Sequence, residues 1–235
     1  MRILDAFLDL LLPRRCVLCR RVLGDDEEMV CEGCMESVPF IHHHEFLSNE
    51  VAKLLWRRAP IERTTCVMRY IPDTHSSRLI LAPKYEGRED VAEWLGQLMF
   101  RQLADTDFFL GIDTVVPVPS PPEKSRERGF DRIETMARAL VSEMRQAGYD
   151  VRMEAEVVLR PKDDVSQTAL SGLQRVEHIK AEDFKVVHPE RLTGNLLLVD
   201  DVITTGATIV AFANAISMAA RPASIHVLGA SRTAR

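Results

Sequence analysis

The sequence lacks the features that would place the protein in a membrane or a fibre. No stretch approaches the roughly 18 consecutive apolar residues that cross a bilayer. Glycine and proline number only 11 and 12 in 235 residues, which excludes collagen-like and low-complexity chains. The formal net charge of -5 gives no overall attraction to nucleic acid, so such a role needs a local basic patch. We therefore predict a soluble, globular protein that does not insert into a membrane.

The first thirteen residues carry apolar side chains at positions 3, 4, 7, 8 and 11, which share one face of a helix. Asp5 and Asp9 interrupt the segment and no small-residue cleavage site follows, so it does not fit a secretory signal. We predict a short amphipathic helix that ends at Pro13 and packs on the body of the protein. Attachment to a membrane surface is the alternative, but the segment lacks the basic polar face of interfacial helices.

Four of the five cysteines form two pairs, Cys16 with Cys19 and Cys31 with Cys34. Two thiolates three positions apart can hold one metal ion from a tight turn, and two such turns complete a tetrahedral Zn2+ site. Four sulfur ligands leave no open position, which predicts a structural zinc. A redox pair or unligated thiols are the alternatives, and the histidines at 42–44 are further candidate ligands. Without a secretory signal the cysteines indicate a reducing compartment, so we predict a cytoplasmic protein.

Beyond about residue 62, strand-like and helix-like apolar segments alternate, which indicates an α/β fold with an open, mostly parallel sheet flanked by helices. Strands are predicted at 66–70, 113–118, 156–159, 184–187, 196–199 and 224–228, and helices at 91–103, 133–144 and 207–219. We divide the chain into an N-terminal zinc module over 1–47, a linker over 48–62 and an α/β domain over 63–235. Ligands bind at the carboxyl ends of strands in such sheets, which directs attention to the segments after Val118 and Val199.

The segment after Val199 is the most informative in the chain. Asp200 and Asp201 follow four apolar residues, and a Thr-Thr-Gly-Ala-Thr turn over 204–208 leads into a predicted helix. Paired carboxylates at a strand end can accept hydrogen bonds from a sugar diol and can bind Mg2+ directly or through water. Backbone N–H groups at a helix start cradle phosphate, and the threonine hydroxyls add donors. The combination fits a phosphorylated sugar, and the alternative is an ordinary strand-to-helix turn capped by Asp201.

This segment resembles the phosphoribosyl pyrophosphate-binding motif of type I phosphoribosyltransferases. Over nearly its whole length, the chain resembles the ComF competence proteins of the ComFC type, which are phosphoribosyltransferase-like and linked to DNA uptake. The resemblance rests on the four-cysteine module, Lys84-Tyr-Glu-Gly87, Pro117-Val-Pro119, Arg126-Glu-Arg128-Gly129-Phe130, Gln167 with Leu170 and Arg175, and the Asp200-Asp201 motif. Where the family usually has Gly-Phe-Asn-Gln, this chain has Gly129-Phe130-Asp131-Arg132.

The resemblance implies a type I phosphoribosyltransferase-like sheet and a role for each motif. Asp200 and Asp201 are the implied catalytic residues, which stabilise positive charge on the sugar ring while Mg2+ bridges pyrophosphate and ribose hydroxyls. The implied ligand contacts are Thr204, Thr205, Gly206, Ala207, Thr208, Arg126, Arg128, Lys84, Gln167 and Arg175. The turn after Pro119 is the implied pyrophosphate loop, and the polar segment 160–175 is a candidate flap over the ligand.

Three functions fit the sequence. The first is a Mg2+-dependent phosphoribosyltransferase. The second is a non-catalytic adaptor that binds phosphoribosyl pyrophosphate or a related nucleotide and regulates a partner among the competence proteins. The third is direct binding of single-stranded DNA through Arg14, Arg15, Arg20 and Arg21, although acidic residues follow at 25–28 and no aromatic side chains are interleaved for base stacking.

Overall fold

The structure is a computed structural model that describes residues 13–42, 45–160 and 179–233. Several predictions lie outside these residues, namely the amphipathic helix before Pro13, the histidines at 43 and 44, and the ligand contacts Gln167 and Arg175 with most of the candidate flap. Among the described helices, none is both long and apolar enough to cross a membrane.

Helices and strands alternate through most of the described chain. Their bounds are α1 Glu32–Glu36, α2 Glu50–Leu55, β1 Arg63–Tyr70, α3 His75–Tyr85, α4 Glu89–Arg101, β2 Thr114–Pro117, α5 Pro122–Arg128, α6 Arg132–Gln146, β3 Arg152–Met153, β4 Val158–Leu159, β5 Lys185–Val186, β6 Asn195–Ile203, α7 Ala207–Ala219 and β7 Ser224–Thr233, with single 3-10 turns at Ala181–Asp183 and Pro189–Arg191.

Five strands form the main sheet in the order β1-β7-β6-β2-β3, and every neighbouring pair is parallel. This confirms the predicted α/β class with its parallel sheet. The apolar run at the start of β6 is completely buried because both faces of the sheet are covered. Leu197 and Val199 belong to the core that includes α4 and α6, whereas Leu196 and Leu198 belong to the core that includes α7. Helices therefore cover both faces, and β6 runs through the middle.

Three predicted strands differ from the structure. The strand predicted at 196–199 continues to Ile203, so Asp200 and Asp201 lie inside β6 near its carboxyl end and not after it. The strands predicted at 156–159 and 184–187 shrink to β4 and β5, which pair with each other in a separate antiparallel ribbon. Backbone pairing continues past Val199 because Asp200 faces Gly229 and Val202 faces Ser231 on the long strand β7.

Helix α3 is absent from the sequence prediction. It begins with a capping box, in which Ser77 Oγ accepts from the Thr74 N–H at 3.2 Å. Pro83 lies inside the helix, and a proline usually signals a helix end in the sequence. The packing of Leu79, Ile80 and Ala82, each at most 2% exposed, holds the helix against the sheet despite the proline. Because its last turn carries Lys84, α3 brings a cation to the carboxyl ends of the strands.

The segment predicted as a linker over 48–62 contains α2. Asn49 caps this helix, since its Oδ1 accepts from the N–H groups of Val51 and Ala52. Val51 and Leu55 are buried in the core that includes α7. The domain bounds at 47 and 62 stay a prediction, but this segment packs on the sheet domain.

Candidate functional site

The four predicted zinc ligands lie together in the N-terminal module. Their sulfur atoms all lie within 4.8 Å of one another, and Cys19 Sγ is 3.6 Å from Cys31 Sγ. Two sulfurs on one tetrahedral zinc with bonds of about 2.3 Å are separated by about 3.8 Å, so the spacing fits zinc. The backbone N–H of Cys34 and the side chain of Arg21 lower the pKa of Cys31 to about 6, which favours the thiolate that binds metal.

Other features of the module agree with a structural role for the metal. Cys16, Cys31 and Cys34 are buried, and only Cys19 of the four is exposed. His42 is exposed and does not join the cysteine cluster. Arg78 of α3 donates to the carbonyl of Leu18 at 3.0 Å, beside the first cysteine pair. The module is thus attached to the same helix that carries Lys84 at its other end.

A second cluster of polar groups lines a cavity of about 350 Å³ at the carboxyl ends of β2 and β6. Its polar lining consists of Tyr70, Lys84, Ser120, Arg132, Arg160, Asp200, Asp201, Thr204, Thr208 and Thr233. The position agrees with the general rule that ligands of open parallel sheets bind beyond the carboxyl ends of strands. Three cationic side chains and two carboxylates face this cavity, together with several hydroxyl groups.

Asp200 and Asp201 are 6% and 7% exposed. Burial and the neighbouring charge of Asp201 raise the pKa of Asp200 well above its ordinary value. Burial also acts to raise the pKa of Asp201, but the charge and hydrogen bonds of Arg132 outweigh it, so the pKa is lowered. Arg132 Nε and Nη2 each lie 2.6 Å from Asp201 Oδ2. The pair therefore consists of one carboxyl that favours its proton and one carboxylate paired with arginine.

The turn after β6 has a defined backbone shape. Gly206 adopts a left-handed conformation with φ of 73°, and a Cβ atom there would lie 2.5 Å from Leu55 Cδ2. Two arginines hold the carbonyls of the turn: Arg232 Nη1 donates to Thr204 at 2.7 Å, and Arg58 Nη1 donates to Thr205 at 2.8 Å. The first N–H groups of α7 have no acceptor within the helix, and the N–H of Ala207 lies 3.4 Å from Thr205 Oγ1. Such N–H groups are suited to bind an anion.

The structure brings together part of the predicted ligand set. Lys84, Asp200, Asp201, Thr204 and Thr208 line the cavity, and Thr205, Gly206 and Ala207 form the adjoining turn. Arg128 lies behind this lining, where its Nε donates to the carbonyl of Lys84 at 2.8 Å. Arg126 is exposed on α5 and does not line the cavity.

Sequence reasoning missed Arg58 and Arg232, and it assigned no ligand contact to Arg132 or to Arg160, the first residue of the candidate flap. The signal for Arg132 was present, because the chain departs from the family pattern at Asp131-Arg132. Asp131 accepts from the N–H and the hydroxyl of Ser120, both at 3.1 Å, and caps α6. It therefore attaches the predicted pyrophosphate loop to the helix that begins with Arg132. No local pattern marks Arg58 or Arg232.

The contacts of the Asp pair compete with direct coordination of Mg2+ in this arrangement. Asp201 Oδ2 is occupied by Arg132, and its Oδ1 accepts from the Val202 N–H at 2.9 Å. Asp200 Oδ1 accepts from the Asp201 N–H at 2.9 Å, and this carboxyl favours its proton. A protein-bound Mg2+ takes ionised carboxylate oxygens, and at Asp201 it would share both oxygens with these hydrogen bonds.

The basic cluster of the module is bound largely by the module itself. Arg14 donates to the carbonyls of Glu27 and Gly24, and Arg15 donates to the carbonyl of Arg20. Arg21 pairs with Glu27, and Arg20 lies 3.9 Å from Glu86 of the sheet domain. These contacts weaken the case for direct single-stranded DNA binding, because phosphate groups would compete with internal partners.

Comparison with known proteins agrees with both parts of the molecule. Residues 7–45 match the double zinc ribbon domain family. The chain is 25% identical to Competence protein F of Haemophilus influenzae over 206 residues, which cover 83% of this chain and 87% of that protein. It is 25% identical to the DNA utilization protein YhgH of Escherichia coli K12 over 197 residues, which cover 83% of this chain and 80% of that protein. These proteins are homologues of the chain. The predicted resemblance to competence proteins and the predicted structural zinc are thereby confirmed.

The relatives match well beyond the zinc ribbon. The DNA utilization protein YhgH of Salmonella typhimurium is 24% identical over 215 residues, which cover 85% of this chain and 89% of that protein. The zinc ribbon match ends at residue 45, so most of this likeness lies in the sheet domain that holds the cavity.

Proposed function

We propose that the cavity at the ends of β2 and β6 binds phosphoribosyl pyrophosphate, and that the protein acts through this site in the uptake or use of DNA. The observation that carries the proposal is the convergence of three kinds of group on one cavity. These are a carboxyl pair, a threonine-rich turn that opens a helix, and a set of cations. Each kind suits one part of a phosphorylated sugar that carries a second anionic group.

The 5-phosphate is assigned to the turn over 204–208. Its N–H groups and the hydroxyls of Thr204 and Thr208 are donors, and the start of α7 favours negative charge. The ribose hydroxyls are assigned to Asp200 and Asp201, whose oxygens are hydrogen-bond acceptors at the carboxyl end of the central strand. The pyrophosphate is assigned to Lys84, Arg132 and the loop at Ser120, because cations are the groups that bind its charge.

Further parts of the predicted site belong to the same proposal. Arg126, Arg128, Gln167 and Arg175 stay proposed contacts on the strength of the resemblance. The resemblance implies that Mg2+ would be held by oxygens of the ligand. A titration of the ligand with and without Mg2+ tests whether binding depends on this ion. A cytoplasmic location is also proposed, because four thiols that bind zinc need a reducing compartment.

A role in DNA uptake or use is proposed from the relatives, whose names refer to competence and to DNA utilization. Within that role, the site permits two modes of action. As a transferase, the protein releases pyrophosphate when an acceptor attacks the sugar, and the carboxylate of Asp201 stabilises the charge on the ring. As an adaptor, it binds the ligand and regulates a competence partner. Release of pyrophosphate in the presence of amine or base acceptors distinguishes the two.

The first test is calorimetric titration of phosphoribosyl pyrophosphate into the zinc-loaded chain, with and without Mg2+. A Thr204→Val, Thr208→Val double variant removes two hydroxyl donors with little change of shape, and we expect binding roughly tenfold weaker. Thr135→Val is the matched control, because Thr135 Oγ1 bonds Glu89 away from the cavity. The absence of binding to folded, zinc-loaded protein would contradict the proposal. Equal affinity for the double variant would reject the assignment of the phosphate to this turn.

A further inference from the structure

Arg132 connects the two strand ends that form the cavity. It is the first residue of α6 and is 9% exposed. Its Nε and Nη2 contact Asp201 Oδ2 on β6, while its Nη1 lies 3.4 Å from Ser120 Oγ on the loop after β2. The longest of these contacts is the one at Nη1. Nη1 takes no part in the two contacts with Asp201, so a ligand atom that binds Nη1 leaves the ion pair intact.

The charges around Arg132 favour an anion. Lys84, Arg132 and Arg160 line the cavity against the two carboxyls of the Asp pair. Lys124 lies nearby, and its pKa is lowered by desolvation and by the charges of Lys84, Arg132, Arg160 and Arg128. The effect on Lys124 shows that positive charge accumulates on this side of the cavity. An anion that enters the cavity relieves this repulsion.

The ion pair also places a positive charge beside Asp201. A bare pair of carboxylates repels a pyrophosphate group, and a divalent cation between them would cancel that repulsion. Here the Arg132 guanidinium already cancels the charge of Asp201, and both oxygens of Asp201 are engaged. The positive charge that a metal would supply at this position is therefore built into the chain.

We propose that Arg132 is the resident cation of this site, and that it lets the cavity bind a pyrophosphate group without a divalent cation. The inference rests on the proposed function, because it concerns the same cavity. It goes further because it assigns the binding of the pyrophosphate charge chiefly to one side chain. That side chain lies 69 residues from its partner Asp201 in the sequence.

The experiment uses the zinc-loaded full chain and inorganic pyrophosphate as the probe. Buffers are freed of divalent cations by passage over a resin before the protein is added, so that no chelator reaches the zinc. We expect the wild type to bind pyrophosphate without Mg2+, and Arg132→Gln to bind it roughly tenfold more weakly or worse. Added Mg2+ should restore binding to Arg132→Gln and change the wild type little. Arg138→Gln, an exposed change on the same helix, is the matched control.

A second variant separates charge from fold. Arg132→Lys keeps the positive charge but loses the forked donors, and it should retain most of the metal-free binding. If Arg132→Gln fails to fold, the Mg2+ dependence of the wild type and of Arg132→Lys decides the question. A wild type that binds phosphoribosyl pyrophosphate only with Mg2+ would overturn the role of Arg132 and leave the proposed function standing. A wild type that binds neither ligand under any condition would overturn both.

Discussion

The zinc module and the strand-edge cavity gather their polar groups in different ways. In the module, four cysteines from one turn and the short helix α1 come within 4.8 Å of one another, all between residues 16 and 34. At the cavity, Asp201 on the central strand meets Arg132 from a helix 69 residues earlier. The first cluster depends on local spacing and a metal, whereas the second depends on the sheet and the helices that cover it. The comparison predicts that loss of zinc affects mainly the module, whereas substitutions at the cavity affect the stability of the sheet domain and its binding of ligand.

The largest effect is expected on removal of zinc from the module. Structural zinc contributes on the order of 10 kcal/mol to the folding of small zinc modules, so Cys34→Ser should lose the metal and expose the module to protease. Limited proteolysis and measurement of zinc per chain check this. Cys66→Ala is the control, because Cys66 is buried in β1 away from the cluster and the variant should keep one zinc per chain. A Cys34→Ser protein with full zinc content would contradict the structural role.

The next largest effect concerns the buried ion pair. Asp201→Asn leaves the Arg132 guanidinium buried without its partner charge, which should cost about 3 kcal/mol in the free energy of unfolding. Removing both charges, with Asp201→Asn and Arg132→Gln together, should cost less than the sum of the two single changes. Urea denaturation of the three variants measures the difference. Strict additivity would show that the two side chains do not stabilise each other.

A smaller effect is expected at the turn after β6. Gly206→Ala meets both a strained left-handed backbone and contact with Leu55, so it should destabilise the protein by about 2 kcal/mol and weaken phosphate binding. Gly148→Ala is a matched control, since Gly148 has φ of 94° but no atom within 4 Å of the added Cβ. Urea midpoints for both variants separate backbone strain from crowding. Equal effects would mean that Leu55 yields without cost.

The smallest effect is the pH dependence of stability at Asp200. Its pKa is raised in the folded protein, so the folded state favours the proton and loses stability as pH rises above the unfolded value of about 3.9. Asp200→Asn removes this loss. Its stability relative to wild type should therefore increase as the pH rises from about 4 to about 8.5, as measured by urea midpoints. Asp105→Asn, an exposed change, should show no such trend. An unchanged difference across this range would contradict the raised pKa.

The sequence predicted the long strands and helices well because their burial repeats along the chain. The strands at 66–70, 113–118, 196–199 and 224–228 and the helices at 91–103, 133–144 and 207–219 all have counterparts in the structure. No helix was predicted at α3, which contains Pro83 and is stabilised by the packing of its apolar side chains. Prediction also failed at the end of β6, where pairing with β7 carries the strand through the two aspartates.

The candidate site was predicted in part for the same reason. The aspartates and the threonine-rich turn are contiguous, so their chemistry is visible in one short segment. Lys84 entered through the resemblance. Arg58 and Arg232 come from two other parts of the chain, and no local pattern marks either of them as belonging to the site.

By itself, the sequence determined the α/β class and the four zinc ligands, and it marked the segment from Asp200 to Thr208 as a candidate ligand-binding segment. Each of these depends on residues close together in the chain. Only the tertiary structure decided the charge state of that segment. The packing of α6 against the sheet places Arg132 on Asp201, which leaves Asp200 as the carboxyl that favours its proton. Charges interact through space, and their balance in a buried site is set by which distant side chains the fold brings within a few ångströms.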